Sequence, residues 1–66
     1  MKIESTKTYK VEKYTPATGW TNCGTLGGDD VKSIVKTFKA DPFLSDEDMA
    51  LYTRKNTMIM YEVRKA

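Results

Sequence analysis

One cysteine and no histidine in a chain of 66 residues leave this polypeptide without a covalent or metallic staple. A disulfide within the chain needs a second thiol, and a structural zinc site needs more donors than Cys23 alone supplies. The fold therefore rests on apolar burial, and a chain this short encloses one core and forms one domain, residues 1–66. Ordering costs about 1.5 kcal/mol per residue, on the order of 100 kcal/mol in all. With 39% of the residues hydrophobic, burial within a single copy barely offsets that cost. Contact with other molecules is the remaining source of stabilisation, and self-association as a homodimer is its expected form.

Net charge singles out no partner. Eleven Lys and Arg against nine Asp and Glu give +2, too little for a nucleic-acid-binding tail or an acidic mimic of DNA. The distribution is lopsided: Lys2, Lys7, Lys10 and Lys13 mark one end of the chain and Arg54, Lys55, Arg64 and Lys65 the other, with Asp41, Asp46, Glu47 and Asp48 between them. No apolar run reaches the length of a signal-peptide core or a membrane span, and a lone thiol suits a reducing compartment, so a cytoplasmic location without membrane contact is expected.

Periodicity supplies the elements. Tyr9, Val11 and Tyr14 interleave with Lys and Glu as in a strand with one wet face, Pro16 to Gly19 punctuate the chain, and Trp20 to Leu26 resumes strand character. This predicts a hairpin over residues 6–26. Placing Tyr14 opposite Trp20 pairs Glu12 with Asn22, Val11 with Cys23 and Tyr9 with Thr25. Tyr9, Val11 and Cys23 then face a core, and Tyr14 and Trp20 form an aromatic pair on the other face. Val31, Ile34, Val35 and Phe38 fall at i, i+3, i+4 and i+7, which predicts a helix over 30–40 that packs this stripe on the hairpin and stops before Asp41-Pro42. Phe43 and Leu44 are expected to tuck under the sheet from a loop. Met49–Thr53 and Thr57–Val63 read as strands around Lys55-Asn56, a second hairpin over 49–64. The expected fold is α+β, with order β-β-α-β-β: a four-stranded antiparallel sheet and one helix packed on one face.

Chemical motifs are scarce. Gly24, Gly27 and Gly28 precede the helix as a phosphate loop would, yet the helix opens with Asp29 and Asp30, whose carboxylates satisfy its free N–H groups and repel an anion. Without histidine neither a Cys-His pair nor a Ser-His-Asp triad can form, and Cys23 has no base to activate it; it reads as a small buried side chain. Asp46, Glu47 and Asp48 read as capping and solvated acids. No enzyme activity, cofactor or metal is expected.

The aromatic and basic residues remain. Tyr14, Trp20, Tyr52 and Tyr61 can share a sheet face with the first strand's lysines, an arrangement suited to a protein interface and also to stacked bases of single-stranded nucleic acid. Lys32, Lys36 and Lys39 read as a solvated helix face. The expected function is a non-enzymatic binding module, a homo-oligomeric inhibitor or adaptor of another macromolecule, a protein first of all, of the accessory kind that compact viral or mobile-element genomes encode. Its partner-binding residues are expected at Tyr14, Trp20, Tyr52, Lys10 and Arg54, as aromatic anchors and charged rim. Single-stranded nucleic-acid binding, or capture of a small nucleotide between protomers, is the alternative.

Overall fold

Tyr9 and Val11 alternate with polar residues along the first strand, β1 (Thr8–Thr15), and both are buried on its inner face. The computed structural model describes residues 1–66; in it β1 turns back through Thr15–Thr18 into β2 (Gly19–Gly27). Pro16 presets the turn, the Thr18 N–H donates to the Thr15 carbonyl at 3.3 Å, and Gly19 follows at φ 70°, the left-handed conformation that closes a three-residue loop. Near the turn the register is the expected one, Tyr14 opposite Trp20 and Glu12 opposite Asn22.

Beyond Asn22 a bulge corrects the expected pairing: Val11 meets Gly24 and Tyr9 meets Leu26, not Cys23 and Thr25. Gly24 lies at φ 83°, and its N–H donates to the Asn22 side-chain oxygen at 2.8 Å. A local side-chain acceptor thus stands in for a ladder partner while one residue is looped out. Cys23, expected in the core, is exposed instead.

The helix, α1 (Gly28–Phe38), starts and stops two residues earlier than the 30–40 expected. Gly27 occupies the N-cap without a side-chain hydrogen bond, so Asp29 and Asp30 do not cap the helix but sit in its first turn, where they complement its dipole. The Gly28 N–H donates to the Lys7 carbonyl at 2.8 Å, drawing the N-terminal arm against the helix start. A Cβ on Gly28 would lie 1.8 Å from the Glu4 carbonyl oxygen, so only glycine permits this approach. At the other end Lys39 adopts φ 54°, and the Lys39 and Ala40 N–H groups donate to the Lys36 and Val35 carbonyls. This is the paired closure of a helix that ends in a left-handed residue.

The sheet has five antiparallel strands, not the four expected, in the order β2-β1-β5-β4-β3. The additional strand is β3 (Asp41–Ser45), paired with β4 (Met49–Thr53) at one edge. Phe43 and Leu44 do not tuck beneath the sheet; they lie in this strand, 50% and 53% exposed. Asp46 explains the difference. Its N–H donates to the Met49 carbonyl at 2.9 Å, and its carboxylate accepts the Asp48 and Met49 N–H groups at 2.7 and 2.9 Å. That turn reverses the chain tightly enough to hold residues 41–45 beside β4. A second turn, Arg54–Thr57 with Asn56 at φ 65°, leads to β5 (Met60–Lys65), which pairs with both β4 and β1.

The core is thin. Its buried hydrophobic residues are Tyr9, Val11, Val31, Ala50, Tyr52 and Val63, and no Leu, Ile, Phe, Met or Trp is fully enclosed. Met1, Ile3, Leu26, Val35, Ala40 and Tyr61 cover it in part. The arm is also tied to the core by the Glu4 N–H, which donates to the Tyr9 hydroxyl at 2.8 Å.

Candidate functional site

A strand sends alternate side chains to opposite faces, so the observed register sorts the sheet into two surfaces. On the helix side lie Tyr9, Val11, Tyr52, Tyr61 and Val63. The opposite face carries no covering element and is organised in rows across the strands. One row runs Trp20, Tyr14, Met60, Thr53; the next Asn22, Glu12, Glu62, Leu51, Leu44; the third Thr25, Lys10, Arg64, Met49.

The Tyr14 and Trp20 rings sit 5.5 Å apart at 53°, with Trp20 47% exposed. Leu51 and Leu44 face each other at the far edge. In the middle, Glu12 lies directly opposite Glu62 and Lys10 directly opposite Arg64. The Arg64 Nε donates to Glu62 Oε1 at 2.7 Å; this bond and the Glu62 charge raise the pKa of Arg64 further.

The helix rests on β1 and β2 and leaves a groove along each flank. One, of about 580 Å³, has a floor of Leu26, Ile34, Phe38 and Tyr61 with Asp30 and Arg54 at its rim. Phe38 meets Tyr61 edge to face at 5.2 Å, Arg54 lies 5.8 Å above the Phe38 ring, and Lys13 lies 5.6 Å above Tyr61. Rings under cations form the composition that anchors protein interfaces. The other groove, of about 490 Å³, is lined by Ile3, Val35 and Tyr52 and bordered by Lys32, Lys36 and Lys39.

Of the five residues expected to bind a partner, Tyr14, Trp20 and Lys10 share the open face. Tyr52 does not join them: it lies in the core on the helix side, and burial, with Tyr9 nearby, raises its pKa. Arg54 lies over Phe38, on the helix side too. Tyr61 also departs from the expected shared face, because the pairing of Tyr14 with Met60 turns Tyr61 toward Lys13. Beside Met49 and Met60, sequence reasoning overlooked Leu51, Glu62 and Arg64 on the open face; the alternation Met49-Leu51-Thr53 and Met60-Glu62-Arg64 was the signal for them.

No three acidic or thiol side chains gather where a metal ion could be held, and no helix is long and apolar enough to cross a membrane. Fold and surfaces together define a small α+β protein, one helix on a five-stranded antiparallel sheet. Neither a family model, nor a curated protein, nor a solved structure matches the chain.

Proposed function

We propose that the protein is a non-enzymatic binding module that works as a homo-oligomer, an inhibitor or adaptor of another macromolecule. One observation carries the reading: an apolar and aromatic surface is left partly exposed on each side of the sheet, Trp20, Tyr14, Met60 and Leu51 on one and Phe38 and Tyr61 on the other. Two such surfaces are what a chain needs to meet both its own copy and a target. The partner is a protein, and the groove of Phe38, Tyr61 and Arg54 is its anchor. A cytoplasmic setting belongs to the same reading, since Cys23 is a free and exposed thiol that a reducing compartment preserves.

Single-stranded nucleic acid is the second reading, favoured by Tyr14, Trp20, Lys10 and Arg64 sharing one face. Glu12 and Glu62 argue against it, because they stand between the rings and the cations, where a phosphate chain would have to pass.

Affinity capture from the source cell tests the first reading when wild type is compared with the double variant Phe38→Ala, Arg54→Ala. A protein held by wild type and lost from the variant supports it; an empty capture, or equal capture by both, contradicts it. Oligonucleotide binding that collapses between about 50 and 200 mM salt would favour the second reading, since each phosphate contact adds to the salt slope.

A further inference from the structure

We infer that the open sheet face is occupied by a second copy of this chain, in a two-fold arrangement whose axis runs across the strands between the Glu12–Glu62 row and the Lys10–Arg64 row. The inference rests on the homo-oligomeric reading above and adds to it the surface, the symmetry and the contacts.

The lone chain carries a charge conflict. Like charges directly opposite across paired strands are destabilising, and β1 and β5 carry two such pairs side by side, Glu12 with Glu62 and Lys10 with Arg64. Within the chain only Arg64 and Glu62 form an ion pair among the four. A partner that lays cations on the acids and acids on the cations removes the conflict, and the chain itself has that pattern.

Two sheets packed face to face keep their strands roughly aligned, about 10 Å apart. Two in-plane axes give that alignment. An axis along the strands, between β1 and β5, stacks Glu12 on the copy's Glu62 and Lys10 on its Arg64, like on like. An axis across the strands stacks Glu12 on the copy's Lys10, and Glu62 on its Arg64, with each contact repeated by symmetry. The charge rows therefore select the second axis.

The apolar residues agree with it. Across the same axis Leu51 meets the copy's Met49, and the bulky Tyr14 and Trp20 come over the row of small residues that holds Thr8 and Gly27. Five strands at about 4.8 Å and six residues at about 3.4 Å give a flat area on the order of 500 Å². Side-chain relief brings the buried surface per copy toward the roughly 800 Å² of a standard interface, enough for a dimer that dissociates on dilution.

Charge reversal in β1 tests the arrangement by sedimentation. Wild type should show a concentration-dependent monomer–dimer equilibrium. Lys10→Glu and Glu12→Lys should each raise the dissociation constant by about tenfold or more, because each lays like charge on like across the axis. An equimolar mixture of the two variants should associate again, since the acids of one β1 then lie over the lysines of the other. The double variant Lys10→Glu, Glu12→Lys should also dimerise, and circular dichroism shows that every variant is folded. A wild type that stays monomeric at hundreds of micromolar, or variants that the mixture does not rescue, would overturn the inference. Capture of a target through Phe38 and Arg54 is read separately, so a failed dimer and a failed binding module give different results.

Discussion

Gly28→Ala should loosen the whole N-terminal arm, because the new Cβ has nowhere to go. It would lie 1.8 Å from the Glu4 carbonyl oxygen, 2.6 Å from its carbon and 2.9 Å from the Ser5 Cα, all backbone atoms that cannot swing aside as a side chain would. The arm must lift. Lifting it breaks the Gly28 N–H bond to Lys7 and the Glu4 N–H bond to Tyr9, each worth about 1 kcal/mol net. It also uncovers Met1 and Ile3, which are half-buried against the core, at a further cost of about 1–2 kcal/mol. The alanine returns at most about 1 kcal/mol of helix propensity. The net loss of about 2–3 kcal/mol should lower Tm by roughly 10–20 °C in a domain of this size. Thermal unfolding by circular dichroism measures it, and amide exchange at Glu4 and Gly28 should accelerate. Gly27→Ala is the control: its Cβ would meet nothing within 4 Å, so its cost should stay below about 1 kcal/mol. A Gly28→Ala protein that melts within about 4 °C of wild type would refute the reasoning.

Three further outcomes follow from local geometry. Lys39→Gly should stabilise the protein by about 1 kcal/mol in chemical denaturation, since Lys39 holds a left-handed φ of 54° that glycine adopts without strain. Stability should fall at both ends of the pH range. The Asp48 and Met49 N–H groups hold the Asp46 carboxylate below its ordinary value of 3.8, so its contribution is full above that pH and is lost as pH falls from there through the lowered folded-state value; burial raises Tyr52 above 10.0, so its contribution is full below that pH and is lost as pH rises from there through the raised folded-state value. Asp46→Asn should flatten the acid limb and Tyr52→Phe the alkaline one, read from denaturation midpoints across pH. Finally, Cys23 should react fully with a thiol reagent under native conditions at the rate of an unfolded control, because the bulge exposes it; slow, unfolding-limited labelling would contradict the observed register.

The parts of the fold legible in the sequence are those set by residues close together along it. The stripe of Val31, Ile34, Val35 and Phe38 marks α1, and Pro16 and Gly19 mark the first turn, from which Tyr14 and Trp20 pair. The illegible parts depend on partners far away. Residues 41–45 contain a proline and no alternation, and only pairing with β4 makes them a strand. The bulge was written in Asn22 and Gly24, an acceptor two residues before a glycine, yet its consequence for Cys23 appears only once β1 lies alongside. The candidate site divides in the same way: Tyr14, Trp20 and Lys10 lie together because one hairpin places them, whereas Tyr52 and Arg54 went to the helix side through the register of β4 on β5. The charge rows could not be read from either strand alone, because they arise where β1 meets β5 from opposite ends of the chain.

Trp20 provides the most direct test that the open face is where this chain meets its own copy. It is the only tryptophan and lies half-exposed on that face, so its fluorescence needs no added label. Acrylamide quenching followed across a dilution series should be strong at nanomolar protein and weaken toward hundreds of micromolar, with a blue-shifted emission as the copies pack together. Quenching and emission that do not change across the series would contradict the account.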